Sequence, residues 1–402
     1  FKFLILLLFY VKINKLNEIL YITKINKLNI MSKNVGYFYW GFLGDKKFNI
    51  NLKEVSTPDG NAFYSWSILK DLLDKNYNVF VPSDRDKYGY FKLKNELFSA
   101  FCSDARNDVY NKINKENYKN IKLDYFIIEW RWEIPGRNDL KTKNENPDLY
   151  QPDQELMIEI INHCNINNIP FVVFDLDYKL TIADIKKYNI KYVIELGHKW
   201  KPYMGQLDNF KSATVQIPFD FNYINEFPIQ SDNFSSDLIY IGNRYERDWC
   251  IDKYLPEGTV VHGNWLEPGH GDPQNEWPHL IFRKRVNASE IMEPYNTSVA
   301  TILLAKKEYC EMGFMTARII EAVYYGTVPF FISEYGNNTI YDYAGKFATF
   351  LKVDSKEELE SKINILKENV NMRKDIIQYL RKHLRFMDSK FFINDIEELI
   401  YG

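Results

Sequence analysis

The chain has 402 residues, 46% of them hydrophobic and 26% charged, which excludes a disordered protein and leaves room for two domains. Fifty-one Lys and Arg stand against fifty-four Asp and Glu, a formal net charge of -3 that lacks the broad cationic footprint of a protein gripping nucleic acid through its phosphates. The cysteines Cys102, Cys164, Cys250 and Cys310 lie far apart with no C-x-x-C pair, so neither a zinc site nor a disulfide framework is expected, and the setting reads as reducing and cytoplasmic.

In chain order, residues 1–30 differ from the rest. Phe3 to Tyr10 (FLILLLFY) is too short to span a bilayer, and KINKLN occurs at both 12–17 and 24–29. These residues are read as a low-complexity leader without stable membrane insertion, and the folded protein is expected from Met31. Strands are then expected at Val35–Phe42, Asn78–Pro82, Asp124–Trp130, Pro170–Asp175 and Tyr192–Leu196. Amphipathic helices are expected at Asn61–Lys75 and Asp153–Asn165; Ala62, Trp66, Leu69 and Leu72 share one face of the first. Thr214–Pro218 leads into a polar stretch read as an inter-domain linker, 221–236. The alternation resumes at Asp237–Gly242, Thr259–His262, Val299–Leu304 and Val328–Ile332, with a helix at Thr316–Tyr325. Residues 355–402 are helical in period. The pattern predicts an α/β protein: two doubly wound parallel-sheet domains, 31–220 and 237–354, facing a cleft, with a helical tail.

The most informative segment is Phe314–Ser333 (FMTARIIEAVYYGTVPFFIS), where a helix bearing Arg318 and Glu321 ends at Gly326 and feeds an apolar strand. Its pattern, R-x-x-E-A-x-x-x-G-T-x-P, resembles the donor-site element of GT-B glycosyltransferases, in its looser form that of spore-coat-type and phage DNA-modifying enzymes. The resemblance implies two Rossmann-like domains and transfer of a hexose from a nucleotide diphosphate sugar to an acceptor hydroxyl, on a glycan or a modified nucleobase. It places Glu321 on the ribose hydroxyls, a task suited to a carboxylate accepting two hydrogen bonds. The second domain's opening strand and loop (DLIYIGNRYER) bring Asn243, Arg244 and Arg247 toward the diphosphate, with Arg318 assisting. Phe282–Tyr295 resembles the base-contacting loop, with Val286 beside the base and Arg283 or Arg285 reaching phosphate. Cationic side chains would then stabilise the leaving diphosphate, with no cofactor or metal required.

In the first domain, the turn Ser56–Asn61 carries Asp59, Gly60 and Asn61 to the position of the family's glycine-bearing loop, and Asp59 is the candidate general base of an inverting reaction. Glu129–Asn138 (EWRWEIPGRN) packs Arg131, Glu133 and Arg137 beside two tryptophans, a candidate acceptor site. Asp175, Asp177 and His198 are expected to line the cleft from strand ends. Asp175-Leu176-Asp177 also admits a Mg²⁺-dependent phosphatase or a GT-A reading. A non-catalytic nucleotide-sugar or glycan binding protein is the third alternative. Neither the donor base nor the oligomeric state is legible.

Overall fold

The computed structural model describes residues 32–38, 60–82, 111–113, 118–136, 138–147, 150, 153–197, 207, 209–221, 233–286 and 290–402. The first sheet contains β1 (Asn34–Phe38), β2 (Asn78–Pro82), β3 (Asn111–Ile113), β4 (Tyr125–Glu129), β5 (Phe171–Asp175), β6 (Tyr192–Leu196) and β7 (Lys211–Val215), in the order β3-β2-β1-β4-β5-β6-β7. The second contains β8 (Ser236–Ile241), β9 (Val260–His262), β10 (Ile281–Arg283), β11 (Ser298–Leu303), β12 (Val328–Ile332) and β13 (Lys352–Val353), in the order β10-β9-β8-β11-β12-β13. Every pairing within both sheets is parallel. Both sheets begin in the middle and reverse their winding once, between β1 and β4 and between β8 and β11. Such a reversal leaves a crevice at the carboxyl ends of the strands.

The strands form because their sequences suit burial on both faces: YFIIE in β4, FVVFD in β5 and VPFFI in β12 are buried at every position. The helix Gly60–Asp74 turns Tyr64, Ile68, Leu69 and Leu72 into the core at helical spacing. Four strands lie outside the sequence expectation: Asn111–Ile113, Lys211–Val215, Ile281–Arg283 and Lys352–Val353. Asn111–Ile113 has only three residues and a polar composition, and Ile281–Arg283 alternates exposed and buried within a stretch read as loop. Cys164, Cys250 and Cys310 are buried free thiols. None of the helices among the described residues is long and apolar enough to cross a membrane.

The tail forms the helices Lys356–Glu368, Val370–His383 and Ser389–Tyr401, and the last returns to the first domain. The crossing is pinned where the Phe219 N–H donates to Met387 O and the Ser389 N–H to Phe219 O, each at 2.8 Å. Beyond it, Phe392, Ile393, Ile396 and Ile400 are buried in a core cluster that runs through both domains. At about 1.5–3 kcal/mol for each large apolar side chain, this packing strongly favours the docked helix. Glu397 adds hydrogen bonds from Lys33 Nζ and the Tyr77 hydroxyl, both at 2.8 Å. The domains also touch where the Tyr309 hydroxyl donates to Asp177 Oδ1 at 3.0 Å.

Candidate functional site

The helix Arg318–Tyr324 begins at the carboxyl edge of the second sheet, after the left-handed Gly313, and ends before the left-handed Gly326. Ile319, Ile320, Ala322 and Val323 are buried, which leaves Arg318 and Glu321 as the polar side chains of its first turn. Arg318 Nε donates to Ile241 O and Nη1 to Thr316 Oγ1 at 3.3 Å, while the guanidinium lies 5.9 Å from the Tyr240 ring centre. Gly242 makes room for it, since a Cβ there would sit 2.9 Å from Arg318 Cζ. Glu321 is 6% exposed and accepts from the Tyr295 hydroxyl at 3.3 Å. Burial raises its carboxyl above the usual 4.5, against the pull of Arg318 and that hydrogen bond.

The loop after β8 is locked from below. A Cβ on Gly263 would lie 2.0 Å from Gly242 O, an atom that also accepts from Trp265 Nε1 at 2.7 Å. Asn264, fully buried, accepts the Arg244 N–H at 2.8 Å and bonds His270 Nε2 at 2.8 Å. In this frame Arg247 is 5% exposed; its Nη1 donates to Asn243 O at 3.2 Å and Tyr245 O at 2.8 Å. Its Nε has no hydrogen-bond partner, and it pairs with no carboxylate among the described residues. A buried cation served only by carbonyls is costly, and an anion docking against it would recover part of that cost.

Arg244 differs. Its guanidinium is engaged by Asp248 at 2.7 Å, by Glu276 and by His270 O, and it lies 5.0 Å from the Trp277 ring centre. Its charge is thus already balanced by two carboxylates, unlike that of Arg247 among the described residues. Arg285 likewise meets Glu267, with Nε 2.6 Å from Oε1, and Val286 is 8% exposed within the core cluster rather than presented to a base. Beside Arg244 opens a cavity of about 770 Å³ lined by Tyr245, Trp249, His270, Gly271 and Lys307. That size falls in the range of small-molecule sites.

The first domain contributes less than expected. Asp59, Arg137 and His198 lie outside the described residues; Gly60 and Asn61 open the helix Gly60–Asp74. Asp175 is fully buried and accepts the Lys179 and Leu180 N–H groups at 2.9 and 3.1 Å, so it closes its own turn and does not line the cleft. Asp177 is engaged by Tyr309, and the pair does not converge as a metal site; among the described residues no group of three or more His, Cys, Asp or Glu does. With Asp175 turned into its own loop, the phosphatase and GT-A readings lose the carboxylate they start from. Arg131 is 1% exposed, a core position rather than an acceptor contact, whereas Glu133 is exposed. Glu129 is fully buried and accepts from the Tyr37 hydroxyl at 2.6 Å. Sequence reasoning missed the part played by Tyr295, a neutral residue that donates to Glu321; no charge or spacing singles it out.

No protein-family model matches the sequence, and no curated protein is similar to it in sequence. Solved structures are similar. The T4 phage β-glucosyltransferase, in a study of substrate binding and mechanism, has 16% identity and a TM-score of 0.58, covering 92% of this chain and 100% of its own. The same phage enzyme in complex with UDP and Mn²⁺ has 15% identity and a TM-score of 0.60 at the same coverage. An α-glucosyltransferase in complex with UDP and a 13-mer DNA containing a HMU base has 12% identity and a TM-score of 0.59, again over 92% and 100%. Over 92% of its length the chain therefore has the fold of these glucosyltransferases, the two facing Rossmann-like domains of the GT-B class.

Proposed function

We propose that the protein is a DNA-modifying glucosyltransferase that transfers glucose from UDP-glucose to the hydroxyl of a hydroxymethylated base. The observation that carries this reading is Arg247, a buried guanidinium with no carboxylate partner among the described residues, at the carboxyl edge of the second sheet and in the company of Arg318 and Glu321. In the proposed complex Arg247 and Arg318 meet the diphosphate and Glu321 accepts from the ribose hydroxyls. The acceptor oxygen attacks the anomeric carbon, the bond from that carbon to the diphosphate oxygen breaks, and UDP leaves with the electron pair. Stabilising its negative charge is the task of the two guanidinium groups. If the reaction inverts, Asp59 takes the proton from the acceptor hydroxyl.

The acceptor class rests on the fold relatives, one of which was solved with modified-base DNA. A net charge of -3 is compatible with it when the contact is local. UDP-sugars and DNA share the cytoplasm, where the protein is proposed to act. The described residues do not assemble a cation site, so no step is assigned to a metal; adding Mn²⁺ or EDTA to the assay tests that assignment. Calorimetric titration with UDP, GDP, ADP and dTDP tests the donor. Binding of UDP alone supports the reading; binding of none of them refutes it.

A further inference from the structure

We propose that Arg381, in the helical tail, is a positioning residue for the nucleotide-sugar site, clamping the far end of the helix that presents Arg318 and Glu321. The inference rests on the donor site proposed above. A helix leaves its last carbonyls without internal partners. At the end of Arg318–Tyr324, Arg381 Nε donates to Val323 O at 3.1 Å and Nη2 to Tyr324 O at 2.8 Å, and Asn296 Nδ2 donates to Tyr325 O at 3.0 Å. Arg381 is 4% exposed, and burial pushes its guanidinium down to about 10, which keeps it charged at neutral pH. A fixed cation there complements the negative end of the helix dipole.

The geometry links this clamp to the site. A helix of seven residues spans about 10 Å, so a shift at one end is carried to the other. At its start the helix is tied to the sheet through Arg318 and Ile241 O; at its end the Tyr324 hydroxyl donates to Asp220 O of the first domain. Arg381 joins that same end to the helix Val370–His383, which runs on to the Met387–Phe219 crossing. The clamp thus lies where both domains and the tail converge. Mere packing of this end would be met by an apolar side chain at lower desolvation cost, whereas two directed donors fix the helix along its axis.

The test uses the full chain with Arg381→Met, Arg381→Lys and Glu321→Gln, singly and combined, measuring UDP dissociation constants by calorimetry and folding by circular dichroism. Arg381→Met is expected to weaken UDP binding at least tenfold with helical signal retained. Arg381→Lys, keeping the charge but not the fork, should recover about threefold of that loss and stay at least threefold weaker than the wild type. The Arg381→Met, Glu321→Gln double variant should fall short of the product of the single effects by threefold or more, because the carboxylate being positioned is gone. Wild-type UDP affinity in Arg381→Met, or additive effects, overturns the inference and leaves the donor site standing. Should Arg381→Met fail to fold, Arg381→Lys carries the test, and wild-type affinity in it is the overturning result. Absence of UDP binding by the wild type, or full affinity in Glu321→Gln, refutes the donor site and the inference with it.

Discussion

Replacing Glu321 by Gln separates a binding role from a structural one, because the two quantities it changes are expected to move apart. The side chain is 6% exposed and its carboxyl is raised above the usual 4.5 by burial. A raised folded value means that Glu321 favours the fold most when protonated; that contribution is complete below about 4.5 and is lost as the pH rises through the folded value. At pH 8 the ionised carboxylate therefore costs stability that Gln, which still accepts from the Tyr295 hydroxyl, does not incur. Glu321→Gln should melt at or above the wild-type temperature at pH 8, with the difference shrinking toward pH 4.5. UDP binding should fall, since a hydrogen bond to a charged group contributes about 1.5–3 kcal/mol. That corresponds to roughly 10- to 150-fold in the dissociation constant. Calorimetry with UDP, paired with melting curves across pH 4.5–8, reads both. Unchanged UDP affinity, or a loss of affinity that tracks a loss of stability, would refute the assignment of Glu321 to the ligand.

Arg247→Met should weaken UDP far more than uridine, because its partner is the diphosphate, and should leave the melting temperature unchanged or higher; equal effects on the two ligands would remove Arg247 from the phosphate site. Gly263→Ala places a Cβ 2.0 Å from Gly242 O, and overpacking of this kind costs about 1–3 kcal/mol, to be read from the urea midpoint. An unshifted midpoint would show that the loop after β8 is not held as described. Asp71, whose Oδ2 is buried without a hydrogen-bond partner among the described residues, has its carboxyl pushed up to about 6 by burial, with Asp388 and Asp74 adding to the shift and Lys75 opposing it. Its contribution to stability is lost as the pH rises through about 6, so Asp71→Asn should raise the melting temperature at pH 8 and leave it unchanged near pH 4.

What could be read from the sequence follows from how local each determinant is. Parallel strands buried on both faces spell themselves as apolar runs, so FVVFD and VPFFI were legible, whereas the three-residue strands Asn111–Ile113 and Ile281–Arg283 take their conformation from neighbours. Arg318 and Glu321 stand one turn apart before a glycine cap, a spacing visible in one dimension. Arg244 and Arg247 look equivalent in sequence. They part only in three dimensions, where Glu276, distant in the chain, helps to neutralise Arg244 and, among the described residues, no carboxylate reaches Arg247. Asp175 carries the residue type of a metal ligand but spends both oxygens on its own turn. Arg381 left no trace at all, since the carbonyls of Val323 and Tyr324 that it caps could be supplied by any residue.

The transfer reaction itself is the decisive test. The full chain should be incubated with UDP-glucose labelled in the sugar and with duplex DNA carrying either hydroxymethylated or ordinary pyrimidines, and the label in DNA counted. Label should enter only the hydroxymethylated duplex, with one UDP released for each glucose incorporated, and Arg247→Met should abolish it. Release of UDP and free glucose with no label in either DNA, or no turnover of UDP-glucose with or without Mn²⁺, would contradict a DNA glucosyltransferase.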